Sequence, residues 1–299
     1  MAKPKICVVV GPTAAGKSDF AVEFAKKNNG EVISADSMQI YKEMNVGTAK
    51  PTKEQMQNIQ HHLIGIVSVS ENFNVAEFVD LANECISKIT EKGKLPIVCG
   101  GTGLYVDSLL NGIDFSKNEV DFDLRRSLQK MVNQGKVSKL YDELKEIDPE
   151  YAARVHPNNE KRVIRAIEFY KTNGITMTEQ KRLSLLKEPK YDANIIGITY
   201  KNRDILYDRI NKRVDLMMKK GLLDEARKLY KMQLSNTAKG AIGYKELFEY
   251  FDGKCTLEES VENIKRSSRR YAKRQLTWFR KNDKINWIYK DECSLGDLM

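Results

Sequence analysis

The sequence predicts an α/β protein: a parallel sheet flanked by helices, an all-helical insertion, and a helical C-terminal part. Three observations carry this. Short β-branched runs without alternation recur between helical stretches, as buried parallel strands do. A glycine-rich phosphate-loop string follows the first of these runs. From about Asp121 to Lys187 the strand signal vanishes and only helical periodicity remains.

Lys5 to Val10 (KICVVV), Glu31 to Ala35 (EVISA) and Leu95 to Cys99 (LPIVC) read as strands. Between them, Asp19 to Lys27 and Val75 to Glu91 read as helices, an alternation that argues for a helix-wrapped parallel sheet. Asp123 to Asn133 and Val137 to Ile147 carry helical periodicity, and Asp148-Pro149 supplies an N-cap with proline at the first helical position. Pro157-Asn158-Asn159 opens a helix from Glu160 to Lys171, which Asn173-Gly174 ends. A strand follows at Ala193 to Tyr200, and Thr256-Leu257-Glu258-Glu259 forms a capping box before a long helix to about Arg280. The expected domains are therefore residues 1–117 and 191–299 as two parts of one core, with 118–190 inserted.

Hydrophobic residues at 41% and charged residues at 30% exclude a disordered or membrane chain. No apolar run approaches the ~20 residues needed to span a bilayer. Ile6 to Val10 is too short for a signal-peptide core, so a cytoplasmic protein is expected. Cys7, Cys85, Cys99, Cys255 and Cys293 form no C-x-x-C pair and have no nearby histidine to complete a zinc site, which points to reduced structural thiols. The net charge of +9 is concentrated: residues 261–290 hold ten Lys or Arg against two Asp or Glu, an excess that points to a polyanion partner.

The strongest motif is Gly11-Pro12-Thr13-Ala14-Ala15-Gly16-Lys17-Ser18. It satisfies G-x-x-x-x-G-K-[ST] between a strand and a helix, which makes the core P-loop NTPase-like. Its N–H groups cradle an anion, Lys17 adds a point charge, and the Ser18 hydroxyl can ligate Mg²⁺. The motif says phosphates without saying which. Asp36, in ADSMQIY (Ala35 to Tyr41), stands where the second strand ends, beside the P-loop. It can take a proton or bind a metal through water, or simply cap the next turn. GGTGLY (Gly100 to Tyr105) closes the third strand where an ATPase would often carry an acidic Mg²⁺ ligand. Its glycines point to a backbone brought close to a ligand, with the Thr102 hydroxyl available. Leu257, Val261, Ile264, Tyr271 and Trp278 form an apolar stripe on the long helix, flanked by Lys265, Arg266, Arg269, Arg270, Lys273 and Arg274. Flanks of nearly one sign favour nucleic acid over a solvated face. His61, His62 and His156 are read as packing or hydrogen-bonding residues.

Together these residues closely resemble the bacterial-type tRNA dimethylallyltransferases, or tRNA isopentenyltransferases. The matching strings are GPTAAGKS, ADSMQIY…VGTAKP, HHLIG, GGTGLY, HPNNEKRVIRAIEFY (His156 to Tyr170), GYKE (Gly243 to Glu246) and YAKRQLTWFR (Tyr271 to Arg280), spread over residues 11–280. The resemblance implies transfer of a dimethylallyl group from dimethylallyl diphosphate to N6 of the adenosine just 3′ of the anticodon, position 37, in tRNAs reading codons that begin with U. It implies that residues 11–18 hold the diphosphate with Mg²⁺, that Asp36 is the general base, and that Thr102 lines the channel where the substrates meet. Asp36, Ser37, Met38, Gln39 and Thr102 would contact the flipped-out adenine. Arg125 and Lys161, Arg162, Val163, Ile164 and Arg165 of the insertion would meet the anticodon stem-loop, joined by Arg269 and Lys273. Arg209 or Arg213 would steady the diphosphate, a choice left open. A monomer is expected. Two rivals remain: a small-molecule P-loop kinase, which leaves the insertion and the basic helix idle, and a non-enzymatic or NTP-driven RNA-binding protein, which leaves GGTG unexplained.

Overall fold

The chain divides into two compact units, residues 1–110 with 190–299, and residues 111–189. The computed structural model describes residues 3–111, 121–186 and 188–292. The first unit runs β1 (Lys5–Val10), α1 (Lys17–Lys27), β2 (Gly30–Ser34), α2 (Lys53–Met56), β3 (His61–His62), α3 (Val75–Glu91), β4 (Leu95–Gly100) and α4 (Gly103–Leu110). The second holds α5 (Phe122–Asn133), α6 (Val137–Ile147), α7 (Pro149–Ala152), α8 (Glu160–Asn173) and α9 (Met177–Leu186). The first unit resumes with β5 (Asp192–Thr199), α10 (Arg203–Lys219), α11 (Leu222–Tyr230), α12 (Asn236–Lys239), α13 (Tyr244–Phe251), α14 (Leu257–Phe279) and β6 (Asn286–Tyr289).

The six strands form one sheet in the order β3-β2-β4-β1-β5-β6, and every pairing is parallel. Cys7, Val9, Val32, Ile97, Cys99, Ile196 and Ile198 form one buried cluster with Phe20, Ala21 and Ala25 of α1. Their alternates Val8, Val10, Ile33 and Val98 are equally inaccessible. Both faces are thus covered, which is why the strands read as unbroken apolar runs. Parallel pairing puts the ends of β1, β2 and β4 on one edge, where open α/β sheets bind ligands. No helix among the described residues is long and apolar enough to cross a membrane.

The second unit has its own core, in which Leu128, Leu140, Leu144, Val163, Ile164 and Ile167 meet. Asp148 accepts from the Tyr151 N–H at the start of α7 and from Thr178, tying α7 to α9. Val163 and Ile164, expected against RNA, need correction: they are 0% and 6% exposed. On α8 the apolar positions turn inward at helical spacing, so of residues 161–165 only Lys161, Arg162 and part of Arg165 face outward.

Candidate active site

The P-loop follows β1 directly, and its shape is enforced by close packing. Gly11 has φ 145°, and a Cβ there would lie 2.1 Å from the Ile198 carbonyl oxygen. Ala14 is held in the left-handed region at φ 63°, a strained conformation for a residue with a Cβ. Arg209 donates from Nε to the Ala14 carbonyl at 3.1 Å and stacks over Tyr200, fixing that peptide. Lys17 donates to the Pro12 carbonyl at 2.8 Å. Burial lowers its pKa to about 8, helped by Arg213 and opposed by Cys99 and Asp36. Ser18 is exposed in the first turn of α1.

Asp36 lies just past β2. Its Oδ1 accepts the N–H groups of Met38 (2.9 Å) and Gln39 (3.3 Å), so the carboxylate both caps a turn and faces the site. Thr102 braces this turn, accepting the Ser37 N–H at 3.1 Å while donating its own N–H to Ala35. The glycines of GGTG approach protein instead of the ligand inferred from sequence. A Cβ on Gly100 would lie 2.1 Å from the Ala35 carbonyl oxygen, on Gly101 2.2 Å from the Gln275 amide, and on Gly103 2.4 Å from the Trp278 ring.

The P-loop and the Asp36 turn open onto a cavity of about 290 Å³. Thr13, Asp36, Ser37 and Met38 form one wall, Arg213, Lys245 and Arg274 supply cations, and Ile210, Val214, Met217 and Ile264 give an apolar patch. Arg213 is buried enough to lower its pKa, with Asp36 opposing the shift. Three cations around one carboxylate, beside an apolar patch, suit a ligand with an anionic end and a hydrocarbon end.

A model of the IPP transferase family matches residues 39–282. The chain belongs to that family. It is 49% identical over 291 residues to the tRNA dimethylallyltransferase of Caldanaerobacter subterraneus subsp. tengcongensis, covering 96% of this chain and 92% of that protein. The tRNA dimethylallyltransferase of Halalkalibacterium halodurans is 50% identical over 287 residues, covering 96% and 91%. A crystal structure of the full-length tRNA isopentenylpyrophosphate transferase from Bacillus halodurans aligns at TM-score 0.74 and 46% identity, over 99% of this chain and 94% of that one. A eukaryotic dimethylallyltransferase acting on tRNA aligns at TM-score 0.82 and 30% identity, over 96% and 74%. These IPP transferase relatives lend no support to the kinase alternative.

Against this family fold, the sequence-predicted residues separate into groups. Asp36, Ser37, Met38, Thr13 and Arg213 share the cavity wall, whereas Thr102 stands behind it. The Gln39 side chain is occupied internally, accepting from the Ser34 hydroxyl and donating to the Thr48 and Ala49 carbonyls. Arg125 (2.8 Å) and Arg165 (3.3 Å) both pair with Glu168, whose side chain is 1% exposed, yet each keeps over a third of its own side chain in solvent. Arg269 donates to Asn211, and Lys273 is exposed. On α14 the expected apolar stripe is displaced: the buried face is Ser260, Ile264, Ala272, Gln275, Leu276 and Phe279. Trp278 is 38% exposed and donates to Asp107. His62 donates to Glu31 at 2.7 Å and His61 bonds the Ile59 carbonyl, as their hydrogen-bonding reading expects. The four described cysteines are free; Cys293 lies outside the described residues.

Two organising residues carry no signal in the sequence. Glu225 accepts the N–H groups of Asn45, Val46 and Gly47 at 2.9–3.0 Å and the Tyr244 hydroxyl at 2.6 Å, fixing the NVGT turn on the cavity rim. Gln275 ties the P-loop to the GGTG turn. GYKE holds Tyr244, the partner of Glu225, and QLTW holds Gln275 itself, but neither string points to the residue it meets across the fold.

Proposed function

We propose that this cavity transfers a dimethylallyl group from dimethylallyl diphosphate to N6 of adenosine 37, just 3′ of the anticodon, in tRNAs reading codons that begin with U. The observation that carries the reading is Asp36 on one cavity wall, within the field of Lys17 and Arg213 and close to an apolar patch. The diphosphate lies against the P-loop N–H groups, Lys17 and Arg213, and the hydrocarbon against Val214, Met217 and Ile264. Arg213 takes this role over Arg209, because Arg213 lines the cavity and Arg209 does not.

In the transfer, the N6 lone pair bonds to the allylic carbon as that carbon's bond to oxygen breaks. The bonding electrons leave on the diphosphate, whose growing charge Lys17 and Arg213 stabilise. N6 becomes cationic and its proton passes to Asp36, a step worth about 10²–10⁴-fold. The adenine must leave its stack to reach the cavity. Mg²⁺ fits the donors present: Ser18 offers a hydroxyl and no carboxylate cluster competes among the described residues, which suits an ion held largely by water and phosphate oxygens. When bound, it neutralises leaving-group charge. Lys161, Arg162, Arg125 and Arg165 of the helical unit, and Arg269 and Lys273 of α14, supply cations for RNA phosphates.

The test is incubation of the protein with tRNA and either dimethylallyl diphosphate or ATP, followed by mass spectrometry of the nucleosides. A dimethylallyl mass increment on adenosine, with the diphosphate ester alone, is expected. An increment with neither co-substrate, under conditions where both bind, would remove the proposal.

A further inference from the structure

Helix α14 reaches both the P-loop and the GGTG turn, and it does so through one buried side chain. Gln275 is 5% exposed. Its Oε1 accepts the Thr13 N–H of the P-loop at 2.8 Å. Its Nε2 donates to the Gly101 carbonyl of the GGTG turn at 2.9 Å. A primary amide can accept and donate at once; an ionised carboxylate can only accept, and a thioether does neither with strength. The fit is tight, since a Cβ on Gly101 would lie 2.2 Å from Nε2.

The connection continues on both sides. Thr13 lines the cavity with Asp36 and Arg213. Gly101 leads into Thr102, whose N–H bonds the Ala35 carbonyl and whose hydroxyl accepts from Ser37, on either side of Asp36. Tyr271, about one turn earlier on α14, lines the cavity. The two Gln275 hydrogen bonds, continued by the Gly101–Thr102 backbone and the Thr102 contacts, therefore join the P-loop to the turn that carries Asp36.

We propose that Gln275 is a positioning residue that sets the register between the P-loop and the Asp36 turn, acting on the transfer step and not on the binding of either substrate. This rests on the reading of the cavity as the transfer site. Alkyl transfer needs the reacting atoms within about 3–3.5 Å and in line, and a misplacement near 1 Å costs about 10²-fold. Each loop binds its own substrate with its own groups, so loss of the link changes their relative placement more than either affinity. A buried hydrogen bond with a purely structural role predicts otherwise: lower stability with chemistry intact.

The experiment compares Gln275→Met, which keeps the volume and removes both bonds, with Gly101→Ala, which displaces the amide from the opposite side. Ser260→Ala is the control; it removes another buried α14 hydrogen bond, to the Glu246 carbonyl, away from the cavity lining. Single-turnover transfer to pre-bound tRNA, dissociation constants for dimethylallyl diphosphate and for tRNA, and thermal midpoints are measured for each. Both site variants should lose about 10–100-fold in single-turnover rate, with each dissociation constant within about three-fold of wild type. Ser260→Ala should lower the midpoint and keep the wild-type rate. If either site variant folds and transfers at the wild-type rate, or loses affinity for one substrate in proportion to its rate, the positioning role is overturned. Wild-type protein that binds both substrates without transfer would instead remove the reading of the cavity itself, before any variant is compared.

Discussion

Lys17 is held in two ways at once: its ammonium is satisfied by Pro12 inside the loop, and burial keeps its pKa at about 8. A diphosphate favours the charged form, so affinity should be full below about 8 and weaken as pH rises through that value. Titrating dimethylallyl diphosphate binding across this range measures the effect, and Lys17→Ala should bind more weakly with the pH dependence gone while tRNA affinity changes little. Glu31 shows the opposite sign at the far edge of the sheet. Burial alone would raise its pKa, but hydrogen bonds from Lys94 and His62, with Lys92 nearby, hold it at about 2. A carboxylate lowered in this way contributes stability above its ordinary 4.5 and loses it as pH falls toward 2. Glu31→Gln should therefore melt below wild type at neutral pH, with the gap closing through that acid window. At this scale the sequence is informative where chemistry is local. Lys17 and Asp36 announce themselves by following strands, while Glu225 and Gln275 act on residues more than 170 positions away.

Helix ends are legible for the same local reason. The Thr256 capping box forms as its spacing predicts, and Asp148 caps α7 with Pro149 behind it. The buried face of α14 departs from the expected stripe for a geometric reason. A stripe at 4/3 spacing repeats every ~3.5 residues, whereas a straight α-helix turns every ~3.6, a drift of about 20° per heptad. Over 23 residues this carries Trp278 off the packed side. Small and polar residues, Ser260, Ala272 and Gln275, occupy the buried line and hide it from a hydrophobicity pattern. The basic flank is unaffected by the shift, since Arg266, Arg270, Lys273 and Arg274 remain exposed. tRNA affinity should accordingly fall steeply with salt. Neutralising Arg269 and Lys273 together should flatten the slope, by about one unit for each phosphate left without its cation. An unchanged slope in a salt titration would return this face to solvent.

At the scale of the molecule, the parallel sheet gathers three sequence-distant loops on one edge, two of which line the cavity while the GGTG turn braces them. The alternation of apolar runs and helices predicts the sheet, and the loss of strand signal predicts the helical unit. The strand order and the closing of the cavity by α10 and the Gly240–Gly243 loop are not legible, because they depend on packing between elements with no shared local pattern. The central claim is that Asp36 takes the proton from N6 in this cavity. Asp36→Asn keeps the shape and the acceptor to Met38 and Gln39 but cannot accept that proton at ordinary pH. Single-turnover transfer with pre-bound tRNA reports the chemistry without product release. The expected result is a rate about 10²-fold or more below wild type with both substrate affinities within a few-fold. A variant that transfers at the wild-type rate, or one that loses tRNA binding while its rate survives, would contradict the assignment.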